Sequence, residues 1–288
     1  MHAVPSASIN VLWACHGTPA SLEAADPVRR WLLPVAGSVD VLAVAPAGRP
    51  AVERVLPRSH DRRERDLQEA GAAAQRAIGA LGQTDVTAQP LVDRGTPSLQ
   101  IASAAARYDV VVVGAGARGG LGSTTTEVLE MTSRSVFVAR PDQDGPVLIA
   151  GNTERCFRKA IEHMHRLTID SAIAVVLLAV LEPAKPFGGM LLSFSEHVRE
   201  QEQALHDLQR RELQAVCAEE SARLLAEGRR VETLEMDRDR RDWPARLHGL
   251  APSLVVVGDL PSDGHARHPE DIAVRVAAEA PCSVLVAR

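Results

Sequence analysis

The stretch that decides the fold is VVVVGAGARGGLGSTT, residues 110–125. Four consecutive valines predict a strand buried on both faces, as in a parallel sheet covered by helices. Glycines then let the backbone approach phosphate groups closely, and a helix N-terminus after them favours anions. We therefore predict a strand, an anion-binding turn and a helix. The candidate phosphate contacts are Gly114, Gly116, Gly119, Gly122, Ser123 and Thr124.

The same pattern occurs twice in the chain. The first half closes on this stretch and VFVAR at 136–140, and the second half closes on LVVVG at 254–258 and VLVAR at 284–288. The openings also match, since VLWA at 11–14 corresponds to VLIA at 147–150. A polar stretch with Pro and Gly, 141–146, joins the copies. We predict a tandem duplication, with domains over residues 1–141 and 146–288.

Apolar strands alternate with helical stretches in each half. In the first half we predict strands at 9–14, 39–45, 86–92, 110–113 and 136–139, and helices from 20 (interrupted at Pro27), at 62–81, 98–108 and 124–132. In the second half we predict strands at 147–150, 173–181, 231–235, 254–257 and 283–287, and helices ending at 167 and spanning 196–227, 243–249 and 272–279. Continuous apolar strands between helices indicate α/β domains with parallel sheets.

Composition restricts the functions further. The net charge of −5 gives no basic face for nucleic acid. The longest apolar run, 172–181, is about half of the ~20 residues that a membrane span needs, and residues 1–8 lack a signal-peptide pattern. The four cysteines form no CxxC pair and are expected as free thiols in a reducing compartment. We expect a cytoplasmic protein with neither a nucleic-acid nor a membrane partner.

The order of strands, helices and motifs resembles the universal stress protein family over both halves. CHGTPAS at 15–21 looks like the family's Asp-Gly-Ser turn after the first strand, with His16 in place of the aspartate. DRGTP at 93–97 is similar to the family's Gly-x-Pro helix entry, and EAPCSVLVAR at 279–288 looks like its terminal strand. The resemblance implies two tandem doubly wound domains with five-stranded parallel sheets of strand order 3-2-1-4-5, packed pseudo-symmetrically with their fifth strands adjacent.

The resemblance also implies an adenine nucleotide in some members and none in others. It implies ATP, with Mg²⁺, on the glycine-rich loop. His16, Gly17, Thr18 and the backbone near Val41 would contact adenosine. The family's loop has nine residues between Gly-x-x-Gly and Gly-Ser/Thr, whereas only two residues separate Gly119 from Gly122 here. A plain tight turn into a capped helix is therefore the competing interpretation.

The second half is predicted to bind no nucleotide. It lacks the Gly-Ser pair, and Asp259, Asp263, Glu270 and Asp271 would repel phosphate. His265 and His268 could bind a metal with these acids, but a solvated loop is the preferred interpretation. The stretch 182–195 is expected to cover the ligand face, contact a partner or serve as a spacer.

We interpret the chain as a non-enzymatic stress-response regulator or ligand sensor. No catalytic residues or metal site are predicted, because the adjacent Cys15 and His16 point to opposite faces of a strand. His163 and His165, two apart on a helix, are expected at the surface. The two halves would form a pseudo-dimer within one chain, and a protein partner or further homodimerisation is compatible with this interpretation.

Two other functions stay open. The first is a module of the same fold that binds a protein and no nucleotide. The second is a dinucleotide-dependent oxidoreductase, because Gly114-x-Gly116-x-x-Gly119 and Asp142 have the spacing of a Rossmann fingerprint. The fingerprint follows the fourth strand of its half instead of the first, which disfavours this function. A P-loop is excluded because the sequence has no Gly-Lys-Ser/Thr.

Overall fold

The computed structural model describes residues 8–47, 59–116, 120–181, 196–237, 243–259 and 272–288. Ten strands follow one another in the predicted sequence order. The first half contains β1 (Ile9–Ala14), β2 (Ala36–Pro46), β3 (Thr87–Gly95), β4 (Val110–Gly114) and β5 (Ser135–Ala139). The second half contains β6 (Val147–Gly151), β7 (Val175–Leu181), β8 (Val231–Asp237), β9 (Leu254–Gly258) and β10 (Ser283–Ala287).

In the described residues, helices connect successive strands except β5 and β6, which the non-helical stretch 140–146 joins. The helices are α1 (Pro19–Leu22), α2 (Ala25–Pro27), α3 (Ser59–Leu81), α4 (Pro97–Ala105), α5 (Ser123–Met131), α6 (Glu154–Arg166), α7 (Glu196–Ala226), α8 (Trp243–Gly249) and α9 (Ile272–Glu279). The helical stretch predicted from residue 20 is interrupted at Pro27 as expected, and a π-helical turn (Val28–Leu32) and a 3₁₀ turn (Leu33–Val35) follow α2. Two threonines cap helices as N-cap residues do: Thr18 accepts from Ser21 N in α1 and Thr153 from Cys156 N in α6.

All ten strands form one sheet in the order β3-β2-β1-β4-β5-β10-β9-β6-β7-β8. Each half therefore has the predicted strand order 3-2-1-4-5. The two halves join through their last strands, because β5 and β10 pair antiparallel, with Phe137 opposite Leu285. Every other pair of neighbouring strands is parallel. The doubly wound α/β fold and its tandem arrangement are confirmed.

Alternate residues of each strand pack into two apolar layers on opposite faces of the sheet. On β1, Val11 and Trp13 pack in the layer covered by α3, α6 and α7. Leu12 packs in the opposite layer, which is covered by α4, α5 and α9. The edge strand β3 is the least buried of the first half and contains Pro90, as an edge strand tolerates. Helices on both faces explain why the inner strands carry no polar alternation.

Two histidines of α6 are more buried than the sequence predicted. His163 is only 6% exposed, and burial lowers its pKa to about 4. His165 places Nε2 2.6 Å from Oε1 of the buried Glu220 on α7. The surface prediction was wrong because α6 packs on the sheet beside α7 and also contacts β10, so neighbouring elements on both sides of the helix approach these histidines.

The four cysteines are free thiols, as predicted. Cys15, Cys217 and Cys282 are buried, and burial raises the pKa of the Cys282 thiol to about 12. Within the described part of the chain, no helix combines the length and apolar composition that a membrane crossing requires.

Candidate functional site

A cavity of about 370 Å³ opens at the carboxyl ends of β1 and β4. This is the edge at which open α/β sheets bind ligands, and the volume lies in the range of small-molecule sites. The turn between β1 and α1, strand β2 and the first turns of α4 and α5 enclose it. Its lining consists of Ala14, Cys15, His16, Thr18, Ala20, Ser21, Leu42, Val44, Pro97, Ile101, Val113, Gly114, Ala115, Gly116, Gly122, Ser123, Thr124 and Thr125.

The structure brings most of the predicted site residues together in this lining. Those that line the cavity are His16, Thr18, Gly114, Gly116, Gly122, Ser123 and Thr124. Gly119 lies outside the described residues. Gly17 and Val41 are described but do not line the cavity, and each has a different structural position.

Gly17 forms the turn that presents its two neighbours to the cavity. Its φ of +76° lies in the left-handed region that favours glycine. A Cβ at this position would lie 2.5 Å from the Cβ of Ala73 on α3. Gly17 therefore allows close packing of the turn on α3, and His16 and Thr18 on either side carry the side chains that reach the cavity.

Strand β2 contributes Leu42 and Val44 instead of Val41. Val41 is fully buried in the layer beneath α3, on the face of the sheet away from the cavity, and so is Ala43. Leu42 packs in the opposite layer. The sequence did not reveal this parity at the ligand edge, because residues 41–45 of β2 are all apolar.

The polar groups of the turn after β1 are connected through Thr18, whose Oγ1 donates to Ser21 Oγ at 3.4 Å. Nδ1 of the exposed His16 lies 3.1 Å from Thr18 Oγ1. The buried Cys15 places Sγ 3.3 Å from Ser21 Oγ. Cys15 and His16 thus have different partners, and no hydrogen bond joins them among the described residues. The pair does not have the arrangement of a nucleophile and its base.

The glycine-rich loop closes on itself before α5 begins. Gly116 N donates to Gly120 O at 2.8 Å, and a Cβ on Gly116 would lie 2.9 Å from that same oxygen. Glycine is required here for the tight turn. This N–H already donates within the loop, so it is not available to a ligand. The sequence had predicted Gly116 as one of several phosphate contacts.

The N-terminus of α5 supplies the remaining donors. Gly122 is the N-cap residue and offers no capping side chain, and the first bond within the helix runs from Thr126 N to Gly122 O at 3.0 Å. The N–H groups of Ser123 and Thr124 precede that bond and have no acceptor within the helix. Thr125 Oγ1 donates to Gly114 O at 2.8 Å, which holds the start of α5 against the end of β4.

The electrostatics of the cavity favour an anion moderately. Among the described lining residues, none carries a carboxylate, a guanidinium or an ammonium group. The positive end of α5 and the hydroxyls of Thr18, Ser123 and Thr124 are the polar features that remain. Leu42, Val44 and Ile101 form an apolar wall opposite. This arrangement suits a flat apolar group with an anionic end.

Among the described residues, the position that corresponds to Gly114 in the second half is closed. Gly114 has open space where a Cβ would lie, whereas a Cβ on the equivalent Gly258 would lie 1.8 Å from Cys156 O. The start of α6 therefore covers the end of β9. Asp259 is buried and pairs with Arg288. The other predicted phosphate-repelling residues and the two histidines of that segment lie outside the described residues.

The dinucleotide fingerprint finds no structural support in the described residues. Asp142 is exposed and does not line the cavity. Strand β5, which follows the loop, pairs with an antiparallel strand instead of a further parallel one. No group of three or more His, Cys, Asp or Glu residues within the described ranges could hold a metal ion.

Comparison with known proteins identifies the fold. No protein-family model matches the chain. No curated protein matches it either. A universal stress protein from Archaeoglobus fulgidus DSM 4304 is 15% identical, with a TM-score of 0.59 over 99% of this chain and 98% of that one. A protein of unknown function from Pseudomonas aeruginosa PAO1 is 12% identical, with a TM-score of 0.55 over 98% and 93%. The chain has the tandem fold of the universal stress proteins.

Proposed function

We propose that this chain is a stress-response regulator or ligand sensor that binds one adenine nucleotide in the first-half cavity. It would act by binding and not by catalysis. The observation that carries the proposal is the contrast between the open space at Gly114 and the closed position at Gly258. The two halves share a fold, but among the described residues Gly114 has open space near the N-terminus of α5, whereas the start of α6 occupies the equivalent position at Gly258. Domains over 1–141 and 146–288 belong to the same proposal.

The phosphate would bind at the start of α5. The backbone N–H groups and hydroxyls of Ser123 and Thr124 would donate to its oxygens, and the positive end of the helix would add to the attraction. The ribose and adenine would lie against the turn after β1, with His16 and Thr18 as polar contacts and Leu42 and Val44 as the apolar wall. A neutral His16 ring can stack on adenine or accept a hydrogen bond.

A resident Mg²⁺ does not fit the described lining, which has no carboxylate. Mg²⁺ in nucleotide sites is held largely by phosphate oxygens, water and one or two protein ligands. Here it would arrive with the phosphates of ATP, and Ser123 or Thr124 could supply a hydroxyl ligand. AMP, which does not need the metal, is therefore expected to bind without it.

The second candidate is a protein-interaction module of the same fold. It is supported by the hydrogen bond that Gly116 N–H makes within the loop, because that bond removes one phosphate donor. Calorimetric titration of the nucleotide-stripped chain with Mg-ATP, and with AMP for comparison, separates the two candidates. Saturation near one nucleotide per chain supports the sensor. An absence of heat, together with an unchanged melting temperature in millimolar ATP, would favour the interaction module.

A further inference from the structure

A second cavity, of about 590 Å³, adjoins the nucleotide cavity along the carboxyl edge of the sheet. The two cavities share three lining residues, Ala20, Ala115 and Gly116. From there the second cavity continues past the end of β5 to the residues that precede β10, so both halves of the chain contribute to it. A ligand in the first cavity therefore has space beside it that the proposed nucleotide contacts do not use.

The shared residue Gly116 lies next to the proposed phosphate position. A Cβ on Gly116 would lie 2.9 Å from Gly122 N, and Gly122 is the N-cap residue of α5. The phosphate is proposed to bind at this same N-terminus, through Ser123 and Thr124. A group attached to the phosphate would enter the second cavity across Gly116, whereas the base would lie against β2, which does not line the second cavity.

Small residues form the boundary between the two cavities. Ala115 N donates to Ala139 O at 3.0 Å, which holds the loop against the end of β5. In the second half Asp259 N makes the equivalent bond to Ala287 O at 2.8 Å. The first half therefore has alanine where the second half has an aspartate, and no acidic side chain at this position would repel a phosphate.

The charges of the second cavity are unfavourable for further phosphates. Glu23 and Glu279 contribute carboxylates to its lining. Glu23 is exposed, and Glu279 is the last residue of α9, where the helix dipole is also negative. Glu279 Oε1 lies 3.4 Å from Arg275 Nη2, and Oε2 has no hydrogen-bond partner among the described residues. A second phosphate would be repelled by these carboxylates, whereas an ammonium group would be attracted.

The other polar side chains of the wall are engaged by backbone carbonyls. Arg140 Nη2 donates to Ala277 O at 2.6 Å and Nη1 to Cys282 O at 3.4 Å. His248 Nε2 donates to Glu279 O at 3.0 Å. The rest of the lining is small and apolar, and consists of Ala24, Ala139, Pro141, Ala280 and Pro281. The cavity therefore suits a short alkyl chain that ends in a cation.

We propose that the ligand is a nucleoside monophosphate whose phosphate is esterified to a short, amine-bearing organic group. The inference rests on the proposed function, because the nucleotide cavity must hold the base, the ribose and the phosphate. A phosphate diester carries a single negative charge, which the N-terminus of α5 stabilises. The alkyl chain would lie along the small apolar lining of the second cavity, and its amine would contact Glu23 and Glu279.

Calorimetric titration of the nucleotide-stripped full chain compares AMP with two of its phosphate esters. The 3-aminopropyl ester carries an ammonium group, and the butyl ester has the same length without that charge. We expect the 3-aminopropyl ester to bind at least about tenfold more tightly than AMP or the butyl ester. Binding of AMP without a gain from the 3-aminopropyl ester, or an equal gain from both esters, would overturn the inference and leave the nucleotide site intact. If neither AMP nor an ester binds, the proposed function itself fails.

Glu23→Gln tests whether a carboxylate of the second cavity attracts the amine. Glu23 is exposed and does not line the nucleotide cavity. The variant should lower the affinity for the 3-aminopropyl ester about threefold or more relative to the butyl ester. Glu212→Gln, at an exposed glutamate of α7, is the control and should leave this ratio unchanged. A ratio that stays unchanged in both Glu23→Gln and Glu279→Gln would contradict an amine in this cavity.

Discussion

Arg288 at the end of the last strand forms a buried ion pair with Asp259, with Nε and Nη2 both 2.8 Å from Oδ2. The same guanidinium donates from Nη1 to Thr132 O at 2.7 Å, in the first half of the chain. The pair therefore holds the second half against the first across the β5–β10 junction. Arg140 makes the reciprocal contact with α9 but has alanine in the place of the aspartate.

Replacement of Asp259 by Ala should destabilise the whole chain. The change removes one partner of a buried ion pair, which costs about 3 kcal/mol or more. Urea unfolding of the parent and the variant measures the loss. Asp144→Ala, at an exposed aspartate between the halves, is the control and should stay within about 0.5 kcal/mol. A similarly small effect of Asp259→Ala would show that the pair contributes little to the junction.

Two glycines with a left-handed backbone conformation allow the cost of backbone strain to be distinguished from the cost of a side-chain clash. Gly17 and Gly228 have φ values of +76° and +79°. Nothing lies within 4 Å of a Cβ on Gly228, so Gly228→Ala should cost about 1 kcal/mol from backbone strain alone. Gly17→Ala also collides with Ala73 and should cost at least about 1 kcal/mol more.

The comparison of these two variants is made by thermal and urea unfolding. If the two variants lose the same free energy of unfolding, the turn after β1 can shift away from α3. The close contact between Gly17 and Ala73 then does not constrain the cavity. Gly17→Ala should in addition weaken nucleotide binding, because it displaces His16 and Thr18.

Substitution of Gly122 and Ser123 should remove nucleotide binding without unfolding the chain. Gly122 has φ −72° and ψ 158°, and an added Cβ would be 3.8 Å from the nearest atom, so the backbone there accepts a side chain without strain. The double variant Gly122→Val/Ser123→Ala fills part of the cavity and removes a hydroxyl, and should bind ATP at least about tenfold more weakly.

The matched control for this experiment is Gly120→Ala, in the same loop but outside the cavity lining, with open space at its Cβ. It should bind ATP as the parent does. Unchanged ATP affinity in the double variant would mean that the nucleotide site lies elsewhere.

His163 should make stability depend on pH. Its pKa is lowered from 6.5 to about 4 because burial disfavours the charged ring, so the unfolded chain binds the proton more readily. The contribution of this residue to the free energy of unfolding is therefore fully present above about pH 6.5, and it decreases as the pH falls from there to about 4. The total loss is on the order of 3 kcal/mol.

The measurement for His163 is urea unfolding between pH 4 and pH 7 for the parent and for His163→Gln. The parent should lose more stability than the variant over that interval. His165→Gln is the comparison on the same helix. Parallel curves for the parent and His163→Gln would rule out His163 as the source of the pH dependence.

Local patterns were sufficient to predict the strands, the helices and the duplication, whereas the strand order was predicted from the resemblance to the universal stress proteins. The valine runs that became β4 and β9 are apolar on both sides, and the repeated Val-Ala-Arg endings of β5 and β10 marked the two halves. Parallel strands with helices between them then admit few topologies. The glycine-rich loop followed by Ser123 likewise predicted the start of α5 within one residue.

Features set by distant parts of the chain were not predictable in this way. The face of β2 that meets the cavity depends on its pairing with β1, because residues 41–45 are all apolar, and Leu42 was therefore missed. The burial of His163 depends on how α6 packs on the distant strands β9 and β10. The closed position at Gly258 depends on how closely Cys156 approaches it, which no residue pattern records.

Amide hydrogen exchange, with and without saturating Mg-ATP, tests the central claim most directly. The account predicts slower exchange in peptides that cover residues 12–22 and 113–128, which form the cavity, and unchanged exchange in peptides that cover 147–158 and 254–259. Unchanged exchange throughout, or protection confined to the second half, would contradict a nucleotide site in the first half.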